Sequence, residues 1–169
     1  NKTMAQITLG GNPATTLGTL PENGTKAPDF NLTAADLSSK KMSDYTGKRK
    51  ILNIFPSVDT GVCASAIKTF NTHGASLENT QVLCISRDLP FAQARFCAAE
   101  VLNNVEMLSD FKDGSFGDAY GLTITDGPFA NLHARAVIVL DEQNTVLYSE
   151  QVPEIGQEPN YQAALNALV

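Results

Sequence analysis

Three short, almost continuous apolar runs constrain the fold of this chain more than any other feature of its sequence. They cover residues 51–55, 82–85 and 136–140. Neighbouring side chains of a strand point to opposite faces of a sheet, so runs without polar alternation predict strands that are buried on both faces. Such strands need cover on each side. The runs therefore indicate an α/β fold with a central sheet.

Helical spacing of apolar residues predicts three helices around these strands. The first, over 63–77, joins the first two runs into a βαβ unit, whose strands should be parallel and whose crossover should be right-handed. The second runs from residue 90 to about 101, with Asp88 as its expected N-terminal cap. A hairpin over 135–150 and a helix over about 159–168 close the chain.

This order of elements predicts a thioredoxin-like fold, in which a central mixed sheet is flanked by helices. Residues 1–25 precede that core and predict an added N-terminal β-hairpin, with strands over 5–9 and 14–20. Residues 103–130 are expected to form an insertion. Because the sequence shows no internal repeat or low-complexity linker, we expect a single domain over residues 1–169.

Composition argues against several classes of partner and location. The formal net charge of −6 disfavours nucleic acid or an anionic membrane surface as the main partner. No apolar run approaches the length of a transmembrane helix, and residues 1–6 lack the apolar core of a signal peptide, with Met4 as a candidate natural start. Three cysteines leave at least one free thiol, which is typical of a reducing compartment. We therefore expect a cytoplasmic rather than a periplasmic protein.

Cys63 is the strongest candidate for chemistry, since it lies where the first buried strand gives way to a helix. If Thr60 or Asp59 caps that helix, Cys63 falls in its first turn, where free N–H groups and the helix dipole favour a thiolate. Pro56 cannot donate a backbone hydrogen bond and helps to end the strand. Taken alone, Cys63 would more often be a buried structural cysteine, and Thr60 only a cap. The spacing of the proline, the threonine and the cysteine together favours a reactive site.

Arg135 supplies a second, independent indication. In the predicted topology, the strand that begins at Arg135 runs antiparallel to residues 51–55, so its start lies near the end of the strand that leads to Cys63. A guanidinium there would stabilise a thiolate and a leaving oxygen. Away from Cys63, an arginine at a strand edge on the surface would be the more common arrangement. Its flanking residues, Ala134 and Ala136, favour an inward orientation.

The segment Pro56-Ser57-Val58-Asp59-Thr60-Gly61-Val62-Cys63 resembles the Pro-xxx-Thr-xx-Cys active-site motif of the peroxiredoxins. Residues 53–56 and 86–97 look like the bacterial thiol peroxidase subfamily of two-cysteine peroxiredoxins. The triplet Ala134-Arg135-Ala136 fits the arginine position of the family. The similarity runs from about residue 5 to the C-terminus.

This resemblance implies a thiol-dependent peroxidase in which Cys63 is oxidised to a sulfenic acid by a hydroperoxide. It implies that Thr60 and Arg135 orient the peroxide and stabilise the transition state, and that Pro56 shields the sulfur. Cys97 would be the resolving cysteine, which forms a disulfide with Cys63 within one chain. Thioredoxin is the implied reductant and a homodimer the implied assembly, and no cofactor or metal is expected.

The two other cysteines have different surroundings in the sequence. Cys97 lies 34 residues after Cys63 on the second predicted helix. A disulfide requires Cα atoms within about 7 Å, so we expect the first turn at Cys63, the helix of Cys97, or both to unwind during turnover. The alanine-rich stretch 92–99 has few large anchors and would rearrange at modest cost. Cys84 lies in the middle of an apolar strand, where its thiol should stay protonated and inert.

Two histidines and an apolar loop stay open to more than one interpretation. His73 is expected to be solvated at the end of the first helix. His133 is expected to be a loop histidine, although its position two residues before Arg135 also allows a place in the pocket. Phe129 and Leu132 would offer an apolar wall if they lay near Cys63, which would favour organic hydroperoxides.

Three rival functions share parts of this pattern. A disulfide oxidoreductase or thiol-based redox sensor normally carries Cys-x-x-Cys, whereas Thr60 occupies the first position here. A non-enzymatic binding module would tolerate the loss of the Cys63 thiol. A cysteine hydrolase requires a histidine beside Cys63, and a zinc site requires Cys and His at ligand spacing, which the sequence lacks.

Overall fold

The computed structural model describes residues 4–169, so the first three residues of the predicted domain lie outside it. The predicted N-terminal hairpin is present, with β1 (Ala5–Leu9) antiparallel to β2 (Asn12–Thr16). Its second strand starts two residues earlier than predicted because Gly10 and Gly11 alone make the turn. Both glycines have positive φ, 56° and 86°, which a side chain would disfavour.

A seven-stranded mixed sheet follows, in the order β4-β3-β7-β6-β5-β8-β9. Its strands and the helices around it are β3 (Asn31–Ala34), β4 (Ser39–Lys41), a 3₁₀ helix (Met42–Tyr45), β5 (Arg49–Ile54), α1 (Gly61–Gly74), β6 (Thr80–Ser86), α2 (Pro90–Glu100), β7 (Glu106–Ser109), α3 (Ser115–Ala119), β8 (Ala136–Leu140), β9 (Val146–Gln151) and α4 (Tyr161–Asn166). β6 pairs in parallel with β5 and β7, and every other pair in the sheet is antiparallel. The predicted thioredoxin-like mixed sheet is confirmed.

The elements that sequence patterns did not predict are all short. β3, β4, β7 and α3 have three to five residues each. The segment 103–130, expected to be an insertion, contributes β7 to the sheet itself, in parallel with β6. Asp88 is not the cap of α2, because the cap position belongs to Leu89 and the Asp88 carboxylate is taken by donors on another loop.

Two apolar clusters cover the two faces of the sheet, as alternating strand residues require. The helix-side cluster packs the sheet against α1, α2 and α4, and includes Ile51, Cys63, Ile67, Phe70, Val82, Cys84, Phe96, Val137, Val139 and Ala164. The hairpin-side cluster packs the other face against the N-terminal hairpin and α3, and includes Ile7, Ala14, Leu52, Ile54, Leu83, Ile85, Phe116, Ala136 and Ile138.

Among the helices between Met4 and Val169, none has the length and apolarity that a bilayer crossing would need.

The segment that follows the N-terminal hairpin approaches the backbone of Gly121 closely. This residue has a φ of 72°, and a Cβ added to it would lie 2.4 Å from the Thr19 carbonyl oxygen. Gly47 has a similar φ of 81°, but a Cβ there would meet nothing within 4 Å. The pair therefore separates backbone strain from steric overlap.

We expect Gly47→Ala to cost about 1–2 kcal/mol of unfolding free energy, from the left-handed backbone alone. Gly121→Ala should cost about 1–3 kcal/mol more, because its methyl group overlaps a backbone that has to move. Urea unfolding followed by circular dichroism measures both values. Equal losses in the two variants would contradict the close approach at Gly121.

Candidate active site

The loop after β5 delivers Cys63 to the first turn of α1. The helix begins at Gly61 with Thr60 in the cap position, and the Ala64 amide donates to the Thr60 carbonyl over 3.1 Å. Cys63 is fully buried in the helix-side cluster. The sulfur therefore lies in a dry site at the N-terminal end of a helix, where a negative charge is favoured.

The Thr60 hydroxyl lies beside the sulfur rather than capping the helix. Its oxygen is 2.6 Å from Cys63 Sγ and 3.0 Å from the Ser57 carbonyl oxygen. A hydroxyl has one hydrogen, so it can donate to only one of these acceptors at a time. A thiolate has no hydrogen to donate. When Cys63 is ionised, the Thr60 hydroxyl therefore donates its hydrogen bond to the sulfur.

Arg135 reaches the same sulfur from the other side of the site. Its guanidinium Nη1 lies 3.1 Å from Cys63 Sγ, and its side chain is almost completely buried. The antiparallel pairing of β5 with β8 sets Ile54 opposite Ala136, so the residue before β8 lies at the end of β5 that leads to the cysteine. Nε of Arg135 donates to the Ile155 carbonyl over 2.8 Å, which fixes the orientation of the guanidinium plane.

Pro56 is buried at the start of this loop, next to a set of polar contacts that sequence patterns missed. The Asp88 carboxylate accepts hydrogen bonds from the Ser57 hydroxyl at 2.8 Å and the Val58 amide at 2.9 Å. It also accepts from the Ser86 hydroxyl at 2.6 Å. The sequence does contain a signal for this contact, since β5 and β6 are parallel and their carboxyl ends meet at one edge of the sheet.

The structure places Cys97 on α2, as predicted, and all three cysteines are free thiols. Cys97 is half-buried at the edge of the helix-side cluster, and this burial raises the pKa of its thiol. Cys84 is fully buried within β6, and desolvation raises the pKa of its thiol to about 12. Its nearest polar partner is the Asn53 side-chain amide, 3.8 Å from the sulfur.

The two histidines are not partners of Cys63. His73 is exposed in the last turn of α1, as predicted. His133 is in a loop but is fully buried, with Nε2 2.8 Å from a carboxylate oxygen of Asp110 and its ring against Phe116. Within residues 4–169, no group of three or more His, Cys, Asp or Glu side chains is arranged to hold a metal ion.

The apolar loop packs on the hairpin side of the sheet, and its predicted role as a wall beside Cys63 stays a prediction. Phe129 packs against the hairpin-side cluster, whereas Cys63 belongs to the helix-side cluster. Leu132 is half-buried and accepts a hydrogen bond from the Ile124 amide at 2.9 Å. The helix-side cluster that contains Cys63 also includes Phe55 and Val58 of the loop that leads to it.

This arrangement suits a nucleophilic sulfur. A thiolate is the reactive form of cysteine, and here one neutral and one cationic donor converge on the sulfur in a site without bulk water. The same two donors lie where an oxygen bonded to that sulfur would need them. The geometry favours attack on a small electrophile whose leaving group develops negative charge.

Comparison with known proteins agrees with this chemistry. The sequence model of the Redoxin family matches residues 22–165. The chain belongs to the Redoxin family. It is 55% identical to the thiol peroxidase of Mycobacterium tuberculosis over 165 residues, which cover 98% of this chain and 99% of that protein. The thiol peroxidase of Mycobacterium bovis matches with the same identity and coverage.

Solved structures share the whole fold. A peroxiredoxin-like protein from Aquifex aeolicus superposes with a TM-score of 0.91 at 37% identity, covering 98% of this chain and 96% of that one. The thiol peroxidase from Chromobacterium violaceum superposes with a TM-score of 0.90 at 22% identity, with 96% and 94% covered. With the 55% identical relatives, these matches confirm the predicted resemblance: the chain is a peroxidase of the peroxiredoxin type.

Cys84 should be inert to alkylation while the protein is folded. With a pKa of about 12, only about one thiol in 10⁴ is ionised at pH 8, and the sulfur is sealed from solvent. We expect a Cys63→Ser/Cys97→Ser double variant to take up no N-ethylmaleimide at pH 8 and one equivalent in 8 M urea, measured by intact mass. Rapid labelling of the folded double variant would contradict the assignment of Cys84 as a packing residue.

Proposed function

We propose that this chain reduces hydroperoxides through Cys63, closes an intrachain disulfide between Cys63 and Cys97, and is recycled by thioredoxin. The observation that carries the proposal is the convergence of the Thr60 hydroxyl and the Arg135 guanidinium on one buried sulfur, at 2.6 and 3.1 Å. Pro56 lies at the start of the loop that leads to Cys63, and in this proposal it shields the sulfur from water.

In the first step, the Cys63 thiolate attacks the terminal oxygen of the hydroperoxide. An S–O bond forms and the O–O bond breaks, so that sulfur is oxidised to the sulfenic acid and the peroxide is reduced to an alkoxide or hydroxide. That anion takes up a proton and leaves as alcohol or water. Arg135 and Thr60 stabilise the charge as it moves from sulfur to the leaving oxygen.

In the second step, the Cys97 thiolate attacks the sulfenic sulfur of Cys63, and hydroxide leaves as water. Half-burial raises the pKa of Cys97 and so opposes ionisation in the folded form. Moving Cys97 into water removes this penalty, and the unwinding of α2 that exposes it also frees its backbone to approach Cys63. Local unwinding of α2 therefore serves both the approach and the ionisation of the resolving thiol.

The C-terminal end of α2 carries backbone strain that favours its unwinding. Val101 caps this helix with a φ of 53°, a left-handed conformation that a β-branched side chain disfavours. Its amide donates to the Cys97 carbonyl, and its side chain is 70% exposed, so little packing compensates the strain. Such strain costs on the order of 1–3 kcal/mol in the folded state and is released on unwinding.

The remaining parts of the proposal concern partners and location. A thioredoxin dithiol would reduce the disulfide by thiol exchange, returning two thiols to this chain and taking the disulfide itself. We place this cycle in the cytoplasm, where such a reductant is available, and expect a homodimer. The apolar cluster that surrounds Cys63, with Phe55 and Val58 among its members, supports alkyl hydroperoxides as well as hydrogen peroxide as substrates.

Cysteine variants test the cycle. Cys63→Ser should lose thioredoxin-coupled peroxide turnover by at least about 10³-fold, because it lacks the nucleophile. Cys97→Ser should keep one round of oxidation but not turn over, while Cys84→Ala, the matched control, should keep turnover. NADPH oxidation coupled through thioredoxin reductase measures the rates. Non-reducing peptide maps after one equivalent of peroxide should show a 63–97 bond, and only intermolecular bridges or a Cys84 bridge would overturn the proposal.

Relieving the strain at Val101 should slow the second step. In Val101→Gly the left-handed cap becomes favourable by about 1–2 kcal/mol, so α2 opens less often and the disulfide forms at least about fivefold more slowly. The sulfenic acid then lives longer, and more of it should be oxidised to sulfinic acid at high peroxide. Quenched-flow mass spectrometry follows both products.

Leu37→Gly is the matched control for this variant. Leu37 also has a positive φ, 71°, and is exposed, but it lies in the turn between β3 and β4. Its replacement should leave the rate of disulfide formation unchanged. An unchanged rate in Val101→Gly would exclude opening at the end of α2.

A further inference from the structure

Arg135 is held on two sides, and only one of them is the cysteine. While Nη1 contacts Cys63, Nε donates to the carbonyl of Ile155 over 2.8 Å. Ile155 lies after β9, in the irregular segment 152–157 outside the central sheet. The position of the guanidinium therefore depends on a loop carbonyl that sheet pairing does not fix.

The N-terminal hairpin fixes that loop. Strand β1 forms a parallel bridge with it, in which the Thr8 amide donates to the Pro153 carbonyl at 2.8 Å. The Ile155 amide in turn donates to the Thr8 carbonyl at 2.9 Å. Ile155 is thus bonded to the hairpin through its N–H group and to Arg135 through its carbonyl.

The Glu154 carboxylate adds hydrogen bonds between the hairpin and this loop. One oxygen accepts from the Thr8 hydroxyl and the Gly11 amide, each at 2.8 Å. The other accepts from the Gly10 amide at 3.2 Å and the Gly156 amide at 2.9 Å. These four hydrogen bonds lower the pKa of Glu154 to about 2, so the carboxylate stays charged throughout the working pH range.

The hairpin turn is shaped for this contact. The positive φ angles of Gly10 and Gly11 turn two successive amides toward the carboxylate, an anion-binding arrangement of the backbone. A single side chain thereby joins the tip of the hairpin, β1 and the residue that follows Ile155. No other part of the proposed mechanism accounts for this set of contacts.

We propose that Glu154 is a positioning residue for the peroxidase reaction, which fastens the N-terminal hairpin to the Ile155 carbonyl and so aims the Arg135 guanidinium at the Cys63 sulfur. This inference rests on the proposed role of Arg135 in the first step. Glu154 is half-buried at the surface, so water competes for its hydrogen bonds and its effect on global stability is small. Its effect is on the position of the guanidinium. A displacement of about 1 Å in a reacting group lowers the rate of a chemical step by up to about 10²-fold.

The test compares Glu154→Gln with the matched control Glu142→Gln. Glutamine keeps the size of the side chain but replaces one acceptor oxygen with an NH₂ group, which in either orientation faces at least one backbone amide, that of Gly11 or those of Gly10 and Gly156. Glu142 is an exposed carboxylate in the turn between β8 and β9, so its variant loses the same charge elsewhere. We expect the second-order rate constant for Cys63 oxidation by hydrogen peroxide, measured by quenched-flow mass spectrometry, to fall about tenfold in Glu154→Gln only.

A double-mutant cycle with Arg135→Ala separates positioning from general loosening. If Glu154 acts through Arg135, Glu154→Gln has no further effect once the guanidinium is gone. An equal fall in both backgrounds, or no fall in the wild-type background, overturns the inference. If Arg135→Ala itself left oxidation of Cys63 unchanged, the proposed function would fail at its first step, which is a separate result.

A milder variant covers the case in which Glu154→Gln unfolds. Thr8→Val removes one donor to the carboxylate but keeps both backbone bonds of β1 to the loop. It should slow Cys63 oxidation by a smaller factor, with an unchanged thermal midpoint by circular dichroism and the same loss of effect in the Arg135→Ala background. A wild-type rate in Thr8→Val, together with a Glu154→Gln variant that cannot fold, would reject the positioning role.

Discussion

The antiparallel register between β5 and β8 is the constraint on which the site depends. Pairing of Ile54 with Ala136 sets the start of one strand beside the end of the other, and this brings together groups 72 residues apart in the chain. Side chains alternate along a strand, so a slip of one residue would turn Arg135 to the hairpin side of the sheet. The fully apolar run of β8 is buried on both faces, so its hydrophobic pattern alone does not distinguish this register from a slipped one.

The two proposed chemical steps make opposite demands on the same sulfur. Attack on a peroxide requires a fixed first turn of α1, and the Asp88 carboxylate supplies this by tying the preceding loop to β6. In the proposed second step, disulfide formation requires movement, which we assign to the strained end of α2. Two exposed ion pairs hold α2, Lys68–Glu100 to α1 and Asp59–Arg95 to the loop before α1, and both are too weak to prevent it. Rigidity and mobility are thus assigned to different helices.

Sequence patterns predicted those parts of the molecule whose signals are local or repeated. Long apolar runs predicted β5, β6 and β8, and the spacing of Thr60 and Cys63 predicted that both lie at the start of α1. The short strands β3, β4 and β7 carry too few residues for a periodic signal. Asp88 was assigned to the wrong partner because a carboxylate before a helix resembles a cap, while two of its three donors, Ser57 and Val58, lie about 30 residues earlier. Contacts of that kind depend on how strands are ordered in the sheet.

The contacts of the N-terminal hairpin are a second example that local sequence patterns did not predict. From sequence the hairpin is an extension outside a complete thioredoxin-like core, and nothing local connects Thr8 with Glu154. Yet the core leaves the Ile155 carbonyl on an irregular segment, and a guanidinium fixed at one nitrogen only can rotate away from the sulfur. A second fixed acceptor is therefore required to hold the planar guanidinium in one orientation. An extension that binds Ile155 by its amide meets this requirement from outside the central sheet.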